Sequence, residues 1–399
     1  MNEVRGKTIE HLVIGGGPAG SMAAIQLAEA GCRVTLLERE RAAHGKVCGE
    51  FLSQEAVSYL DQAGIAVGKL GAVSIDRIRL AAGGWVAEAA LRFRALSLSR
   101  SVLDEAMLVR AAQAGCAVER GAEVVGLERE GATWRVELQT GGSLHAREVF
   151  LATGKHDLRG WERGKGRQSD LVGFKMHLRL QPSASEALRG AMELFLFPEG
   201  YGGLSFIESD TVNLCFVVRR TEMRRLGGWV GLLQTIRNAN RLLGDRLRDA
   251  RSLSARPLAI APIPYGHLEG ARSGLWCLGD QAAVIPSFTG DGMSIAMHSA
   301  MLAVRMLLEG QDANRFSRVL AHQLRPSMDL ATLLSRLLVS GAGRRLVPVC
   351  LGVAPSALRW IADATRIRDR DLVRSDGERP GAALPAWSVG GGRIPPLRG

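Results

Sequence analysis

A glycine-rich turn between a short apolar strand and a helix constrains the fold of this chain more than any other feature. Residues 10–14, predicted to form a short buried strand that ends in Leu12-Val13-Ile14, are followed by Gly15, Gly17 and Gly20, spaced Gly-x-Gly-x-x-Gly, and residues 21–30 have a helical pattern. The first glycine allows a tight turn, the second lets the backbone approach a pyrophosphate, and the third lets helix and strand pack closely. The helix N-terminus also offers N–H groups to an anion. The segment therefore predicts a dinucleotide-binding turn.

The residues after this helix indicate which dinucleotides the turn accepts. Gly31 is placed to end the helix, residues 33–37 are predicted to form a second strand, and Glu38 closes that strand. A carboxylate about 20 residues after the turn accepts hydrogen bonds from ribose hydroxyls and repels a 2′-phosphate. The turn thus fits NAD or FAD rather than NADP. By itself it does not distinguish NAD from FAD.

Composition limits the compartment and the partners. The net charge is +11, with basic clusters at 159–167, 219–225 and from residue 336 onwards, but aromatic residues are only 5%. Because no stacking platform or nucleic-acid module is visible, no nucleic-acid partner is expected.

The six cysteines have no C-x-x-C spacing, so neither a metal site nor a disulfide framework is indicated. With no signal peptide and no apolar run long enough to span a bilayer, a cytoplasmic location is expected.

Further strands and helices are predicted from periodicity. A helix is expected at 101–114 with Ser101 as a candidate N-cap, a strand at 116–127, and a hairpin from 134–138 and 145–151. Alternating segments at 174–180, 191–197 and 211–218 predict an antiparallel sheet that can cover a ligand. A strand at 274–278, a helix at 292–308 and helices to about residue 365 complete the pattern.

A second motif identifies the cofactor by resemblance. The strand at 274–278 ends in Gly279-Asp280 and is followed by Thr289-Gly290-Asp291-Gly292-Met293. This segment resembles the flavin-binding Gly-Asp motif of the p-hydroxybenzoate hydroxylase-like superfamily, which implies an α/β flavoprotein that binds FAD. By that resemblance Asp280 holds the ribityl chain, and the helix start near Gly290 meets the pyrimidine edge of the flavin, where its dipole stabilises negative charge.

Other short motifs follow in the order expected for the superfamily. Ser99-Arg100 resembles the helix start whose arginine reaches the FAD pyrophosphate, Val124 lies where a strand passes the adenine, and Ala152-Thr153-Gly154 resembles a turn beside FAD. The complete set of residues that the sequence assigns to the cofactor is Gly15, Gly17, Pro18, Ala19, Gly20, Glu38, Arg39, Arg100, Val124, Thr153, Gly154, Gly279, Asp280, Gly290, Gly292 and Met293.

Comparison with branches of the superfamily suggests candidate catalytic residues. Lys46-Val47-Cys48-Gly49-Glu50 resembles the Lys-x-Cys-Gly segment of the geranylgeranyl reductase-like branch, which implies that Lys46, Cys48 and Glu50 lie near the isoalloxazine. Tyr201, in a glycine-rich part of the middle sheet, is a candidate substrate wall. Cys48 is a candidate gate or redox residue, and Glu50 is a candidate general acid or base, a role that needs a raised pKa. The plainer alternatives are a loop-closing ion pair for Lys46, a packed thiol for Cys48 and a turn residue for Tyr201.

Several family signatures are missing. The Asp-Gly pair that hydroxylases use for FAD and NADPH is replaced by residues 155–160, Lys-His-Asp-Leu-Arg-Gly, so direct reduction by NADPH is not assured. There His156 and Asp157 either line the cofactor or belong to a surface loop. The Trp-x-Trp-x-Ile-Pro motif of tryptophan halogenases is absent, and residues 197–204 replace the aromatic signature of prenyl reductases.

The predicted architecture is a Rossmann-like FAD-binding domain (a β-β-α-β dinucleotide fold) with an inserted antiparallel substrate sheet and C-terminal helices. The expected boundaries are 1–165 and 256–310 for the FAD-binding domain, 166–255 for the substrate domain, 311–370 for the helical region, and 371–399 for a disordered tail. The basic amphipathic helices between residues 328 and 365 either lie on an anionic membrane or pack on the flavin domain with their arginines in water.

The predicted activity is that of an FAD-dependent oxidoreductase. The first expectation is a monooxygenase, in which reduced flavin reacts with O₂ at C4a and oxygen passes to an apolar or aromatic small molecule, lipid-like or polyketide. One alternative is a reductase that saturates carbon–carbon double bonds of a lipid. Another is a maturation factor that modifies a side chain of a carrier or partner protein. The electron donor is expected to be NAD(P)H or a separate reductase.

Overall fold

The computed structural model describes residues 8–270, 274–353, 361 and 363–373. The strands of these residues are β1 (Ile9–Ile14), β2 (Val34–Glu38), β3 (Phe51–Leu52), β4 (Val73–Ala82), β5 (Trp85–Ser97), β6 (Ala117–Arg120), β7 (Val124–Glu130), β8 (Thr133–Leu138), β9 (Ser143–Leu151), β10 (Leu171–Arg179), β11 (Ala191–Phe197), β12 (Gly200–Phe206), β13 (Val212–Arg219), β14 (Arg251–Ser252), β15 (Leu258–Ile260), β16 (His267–Leu268), β17 (Trp276–Cys277) and β18 (Ala283–Val284).

The helices of the same residues are α1 (Pro18–Glu29), α2 (Gln54–Gln62), α3 (Arg100–Gln113), α4 (Pro182–Leu188), α5 (Arg220–Arg225), α6 (Trp229–Ala239), α7 (Arg241–Arg246), α8 (Gly292–Leu308), α9 (Ala313–Leu338) and α10 (Gly341–Val353). The helix predicted at 292–308 has those bounds in the structure. None of the described helices combines the length and the hydropathy that a membrane span requires.

The first sheet has the strand order β6-β2-β1-β9-β8-β7, with β17 paired to β9. Its strands β6, β2, β1, β9 and β17 run parallel, and the β7–β8–β9 meander is antiparallel. Apolar residues of β1 and β9 are buried, and α1 packs against β1 and β2 while α3 packs against β6. The predicted α/β dinucleotide fold, with its strand–turn–helix–strand unit, is confirmed.

The second sheet has nine strands, ordered β14-β10-β13-β12-β11-β4-β5-β3 with β15 beside β10. Apart from the parallel pair of β4 and β11, its pairings are antiparallel. The three strands expected in the middle of the chain are all present. The β4–β5 hairpin was not predicted, and it lies inside the interval 1–165 that the sequence assigned to the FAD-binding domain.

The chain passes between the two sheets four times. It leaves the first sheet after β2, returns after β5, leaves again after β9, and returns after β15 to add β17. Because the ends of strands from both sheets meet at these crossings, the connecting segments surround one space between the sheets.

Three local predictions need correction. Ser99, not Ser101, caps α3, since its side chain accepts a hydrogen bond from the Val102 N–H. The strand expected at 116–127 is two strands, β6 and β7, with Gly121 at positive φ between them. The tail was predicted to be disordered from residue 371, but Val373 is buried in the main core. Residues 374–399 lie outside the described residues.

Candidate active site

A continuous cavity of about 650 Å³ lies between the two sheets. Of the sixteen residues assigned to the cofactor, Gly20 is the one that does not line it. Instead Gly20 packs against the turn, where an added Cβ would lie 1.9 Å from the Gly15 carbonyl oxygen. This is the helix–strand contact that the third glycine of such a turn serves. The four candidate catalytic residues, Lys46, Cys48, Glu50 and Tyr201, also line the cavity. The roles of all these residues remain predictions.

One end of the cavity is built to hold an anion. Helix α1 begins after Gly17 without a side-chain cap and without an acidic residue in its first turn, so its dipole is not offset. A Cβ added to Gly17 would lie 3.4 Å from an Arg100 guanidinium nitrogen and 3.8 Å from Lys46 Nζ. Two cations therefore converge on an uncapped helix start. This combination fits a pyrophosphate.

Arg100 is fixed in place by Asp104 on the same helix. Its Nε and Nη2 donate to the two carboxylate oxygens of Asp104 at 2.7 and 2.8 Å. Burial alone would lower the pKa of Arg100, but the Asp104 carboxylate raises it above the usual range. Lys46 Nζ lies 3.2 Å from the same carboxylate. Lys46 thus lies at the phosphate end of the cavity, whereas the resemblance implied a position near the isoalloxazine.

Glu38 is positioned by two backbone amides. Its Oε2 accepts from the Gly16 N–H at 2.7 Å, and its Oε1 accepts from the Glu40 N–H at 2.9 Å. The carboxylate is 7% exposed and lines the cavity together with Arg39 and Val124. This is the position at the end of the second strand where a ribose hydroxyl is bound in dinucleotide folds.

Cationic side chains surround His156 in the middle of the cavity. Burial, followed by the charges of Arg39, Lys46, Arg163 and Lys155, lowers the pKa of His156. Each of these cations also has a carboxylate partner, and these partners are Glu40, Asp104, Asp157 and Asp280.

Lys155 is itself paired with a residue of the Gly-Asp motif. Its Nζ lies 3.2 Å from the Asp280 carboxylate. Burial would raise the pKa of Asp280, but the Lys155 ammonium holds it below its usual range. An ionised Asp280 accepts hydrogen bonds and so fits a polyhydroxyl chain such as ribityl.

The far end of the polar part is the N-terminus of α8. Gly290 has φ +78°, and a Cβ there would lie 2.6 Å from the ring of Phe51, so the close approach of Phe51 requires glycine. Gly290, Gly292 and Met293 line the cavity. Burial holds the pKa of the Asp291 carboxyl at this helix start well above its usual range. Because a raised pKa favours the neutral carboxyl, Asp291 offsets less of the helix dipole, which stays available to another anionic group.

Glu50 is a buried anchor. It has φ +56° and no exposed surface, and it accepts from the Arg100 N–H at 2.8 Å and from Lys175 Nζ. His177 Nε2 lies 2.8 Å from its other oxygen. Burial would raise the pKa of Glu50, but the His177 hydrogen bond and the Lys175 charge lower it. Glu50 therefore ties the Lys46–Glu50 loop to α3 and β10.

Beyond Cys48 the cavity becomes an apolar chamber. The Cys48 carbonyl accepts from Asn213 Nδ2 at 3.1 Å, and its thiol lies beside Arg100. Tyr201 is buried in the chamber wall, edge-on to Phe288 at 5.7 Å, with its hydroxyl 3.4 Å from Ser335 Oγ. The apolar side chains that line this part are Ile78, Leu91, Phe93, Met192, Leu194, Val217, Ile260, Ile263, Phe288 and Ile361.

Sequence reasoning missed part of this wall. Ile78, Leu91 and Phe93 come from the β4–β5 hairpin, whose alternating pattern around Gly83-Gly84 was the available signal. Arg366 also lines the chamber: it forms an ion pair with Glu55 at 3.0 Å and lies over the Phe93 ring at 3.4 Å. No local pattern marks such a contact between distant segments.

Comparisons with known proteins identify an FAD-binding domain in this chain. Residues 8–149 match the family model described as an FAD binding domain. The digeranylgeranylglycerophospholipid reductase of Methanocaldococcus jannaschii is 27% identical over 320 residues, which cover 73% of this chain and 75% of that protein. A menaquinone reductase of Mycolicibacterium smegmatis is 27% identical over 322 residues, covering 75% and 76%.

Solved structures show the same fold at lower identity. The myxobacterial chondrochloren halogenase CndH has a TM-score of 0.71 and 20% identity, and the match covers 90% of this chain and 91% of that one. The flavin-dependent brominase Bmp2 also has a TM-score of 0.71, with 15% identity over 91% of this chain and 95% of that one. These likenesses extend over both sheets.

Proposed function

We propose that this FAD-dependent oxidoreductase saturates carbon–carbon double bonds of an apolar, isoprenoid-type molecule. Two of the reductases that resemble it over about three quarters of their length are named for digeranylgeranylglycerophospholipid and for menaquinone. The expected monooxygenase activity stays a prediction, and the experiment below separates the two reactions.

The observation that carries this proposal is the apolar chamber at the α8 end of the cavity. Among the chamber-lining side chains named above, the one permanent charge is on Arg366, which Glu55 neutralises. Since a charged or strongly polar substrate would lose its hydration there without compensation, the chamber favours a hydrocarbon chain.

The residues around the polar part would hold the cofactor. The α1 N-terminus, Arg100 and Lys46 would bind the pyrophosphate, Glu38 would bind the ribose, and Asp280 would orient the ribityl chain. The N-terminus of α8 would stabilise negative charge at the flavin end. When bound, FAD supplies two-electron redox chemistry. The chamber excludes water from the reacting carbons.

Saturation adds two hydrogen atoms across the double bond, one of them as a proton. We assign that proton to the Cys48 Sγ–H group, because Cys48 lines the cavity. The sulfur lies beside Arg100, and a proton from solvent restores the thiol after the transfer. Tyr201 serves as a wall of the chamber. The source of electrons is NAD(P)H or a separate reductase.

The test is anaerobic turnover of the FAD-loaded protein. The protein is reduced with dithionite and mixed with a detergent-solubilised geranylgeranyl lipid, while flavin absorbance and product mass are followed. Reoxidation of the flavin together with a product that has gained hydrogen is expected. No reoxidation without oxygen, combined with incorporation of ¹⁸O from ¹⁸O₂ in air, would overturn the reductase in favour of hydroxylation. Turnover only when a partner protein is supplied as substrate would favour the maturation factor.

A further inference from the structure

We propose that the outer face of α9 and α10 docks on an anionic lipid surface. The docking face is defined here by Leu333, Arg336, Leu337, Arg345, Leu346 and Val349. Docking itself depends only on this face. A second step, that the substrate reaches the chamber from the bound membrane, rests on the proposed function.

The docking face exposes four large apolar side chains on two helices that contact each other. Leu333 is 66% exposed, Leu337 36%, Leu346 52% and Val349 63%. Elsewhere in the described chain, exposed apolar side chains such as Val230 on α6 and Leu308 on α8 belong to separate elements. Single exposed leucines need no explanation, but here each helix carries a pair one turn apart, which is the pattern of an interaction surface.

The charge of this region has one sign. Residues 330–353 contain Arg336, Arg344 and Arg345 but no aspartate or glutamate. The carboxylate just before them, Asp329, is already bound to Arg167 at 2.7 Å. A helix pair with exposed leucines and with arginines as its charged groups suits the boundary between acyl chains and anionic headgroups.

The inner side of the same helices closes the substrate chamber. Val339 is buried in one apolar cluster with Tyr201 and Tyr265, and Leu338 and Val347 pack against that cluster. Ser335 Oγ lies 3.4 Å from the Tyr201 hydroxyl. The docking face is therefore separated from the chamber by the thickness of one helix layer, which places an apolar substrate in the membrane next to the site that would use it.

A second copy of the chain or another protein is a less suitable occupant. Two copies that meet on this face would bring their Arg336 and Arg345 side chains together without a carboxylate from residues 330–353 to neutralise them. An anionic lipid surface supplies that charge.

The experiment is vesicle flotation of the full-length, FAD-loaded protein. The vesicles are phosphatidylcholine alone or phosphatidylcholine with about 30% phosphatidylglycerol. Wild-type protein is expected to bind the anionic vesicles about tenfold more strongly, and added salt should weaken binding. The double variant Leu346→Glu/Val349→Glu should lose about tenfold in this binding. Val230→Glu changes a side chain that is 80% exposed on α6, and it should bind like wild type.

Flavin absorbance and sedimentation velocity of each variant check the fold and the oligomeric state. Three outcomes would each overturn the docking proposal. The double variant could bind as strongly as wild type, or Val230→Glu could lose as much binding as the double variant. The third outcome is a stable wild-type dimer that dissociates in the double variant. Because vesicle binding needs no substrate, its failure is distinguishable from failure of the reductase. Access to the chamber from the membrane is tested by turnover of lipid embedded in vesicles. The double variant should lose this turnover. It should keep wild-type activity on detergent-solubilised lipid.

Discussion

Glu50 accepts a hydrogen bond from the backbone N–H of Arg100 at 2.8 Å. The contact joins the loop that carries Lys46 and Cys48 to the start of α3, whose arginine faces the turn at Gly17. Lys175 and His177 of β10 bind the same carboxylate from the second sheet. One buried side chain thus sets the relative positions of the phosphate end of the cavity and the chamber.

Glu50→Gln is expected to lower the free energy of unfolding by about 3 kcal/mol, because an amide keeps the hydrogen bond from Arg100 but leaves the Lys175 ammonium buried without a counter-charge. Chemical denaturation of the FAD-free protein measures this change. Glu10→Gln, in an exposed pair with Arg33, should change it by less than about 1 kcal/mol. Equal effects of the two substitutions would contradict the assigned role.

Arg100→Gln should raise the dissociation constant of FAD about tenfold to a hundredfold, since charge-assisted hydrogen bonds to a phosphate are lost. Arg100→Lys should lie between this variant and wild type, because an ammonium keeps the charge but not the bidentate geometry with Asp104. Flavin fluorescence titration measures the constants. Unchanged FAD affinity in Arg100→Gln would remove Arg100 from the phosphate site.

Gly20→Ala should destabilise the protein by about 3 kcal/mol and reduce its flavin content, because the new Cβ would overlap the Gly15 carbonyl oxygen. Gly68→Ala is the matched control, since nothing lies within 4 Å of a Cβ there. Thermal unfolding and absorbance report both effects. A Gly20→Ala variant with normal melting temperature and full flavin content would rule out the close packing described for the turn.

His298 should make the protein sensitive to acid. Its Nδ1 lies 2.9 Å from the Tyr59 hydroxyl and its Nε2 lies 3.0 Å from Gln323 Oε1, and burial lowers its pKa from 6.5 to about 4. As pH falls, His298 is therefore protonated at a higher pH in the unfolded chain than in the folded protein. As pH falls from 6.5 to 4, this histidine should lower the free energy of unfolding by about 3 kcal/mol. Above pH 6.5 it should have no such effect.

Denaturation curves across that pH window test the assignment. His298→Gln should flatten the pH dependence of the unfolding free energy, whereas His322→Gln, at an exposed position, should leave it unchanged. An identical slope for wild type and His298→Gln would mean that other groups cause the acid sensitivity.

Cys48→Ala should lower kcat for double-bond reduction about a hundredfold, because the transferred proton loses its donor. Cys48→Ser should restore little activity, since a hydroxyl is a much weaker acid than a thiol. Both variants should keep the flavin spectrum. Cys350→Ser, at an exposed thiol, serves as the control. Full activity in Cys48→Ala would leave Cys48 as a packed thiol.

Local and repeated patterns made much of this fold predictable from the sequence. The glycine turn, its flanking strands and α8 depend on residues close together in the chain, so spacing was enough to place them. The partners of Glu50 were not predictable, because Lys175 and His177 lie 125 and 127 residues away. The β4–β5 hairpin was not predicted, because the charged residues Glu88, Arg92 and Arg94 interrupt the apolar residues of β5.

The four crossings between the sheets have a consequence for how the protein is made. Residues from every crossing segment line the cavity, and the wall that carries the Gly-Asp motif comes from residues 279–293. A nascent chain that has just completed the glycine turn therefore holds one wall of a cofactor site. We expect FAD to be captured only after α8 has left the ribosome, so cofactor capture should complete synthesis of this protein rather than guide its early folding.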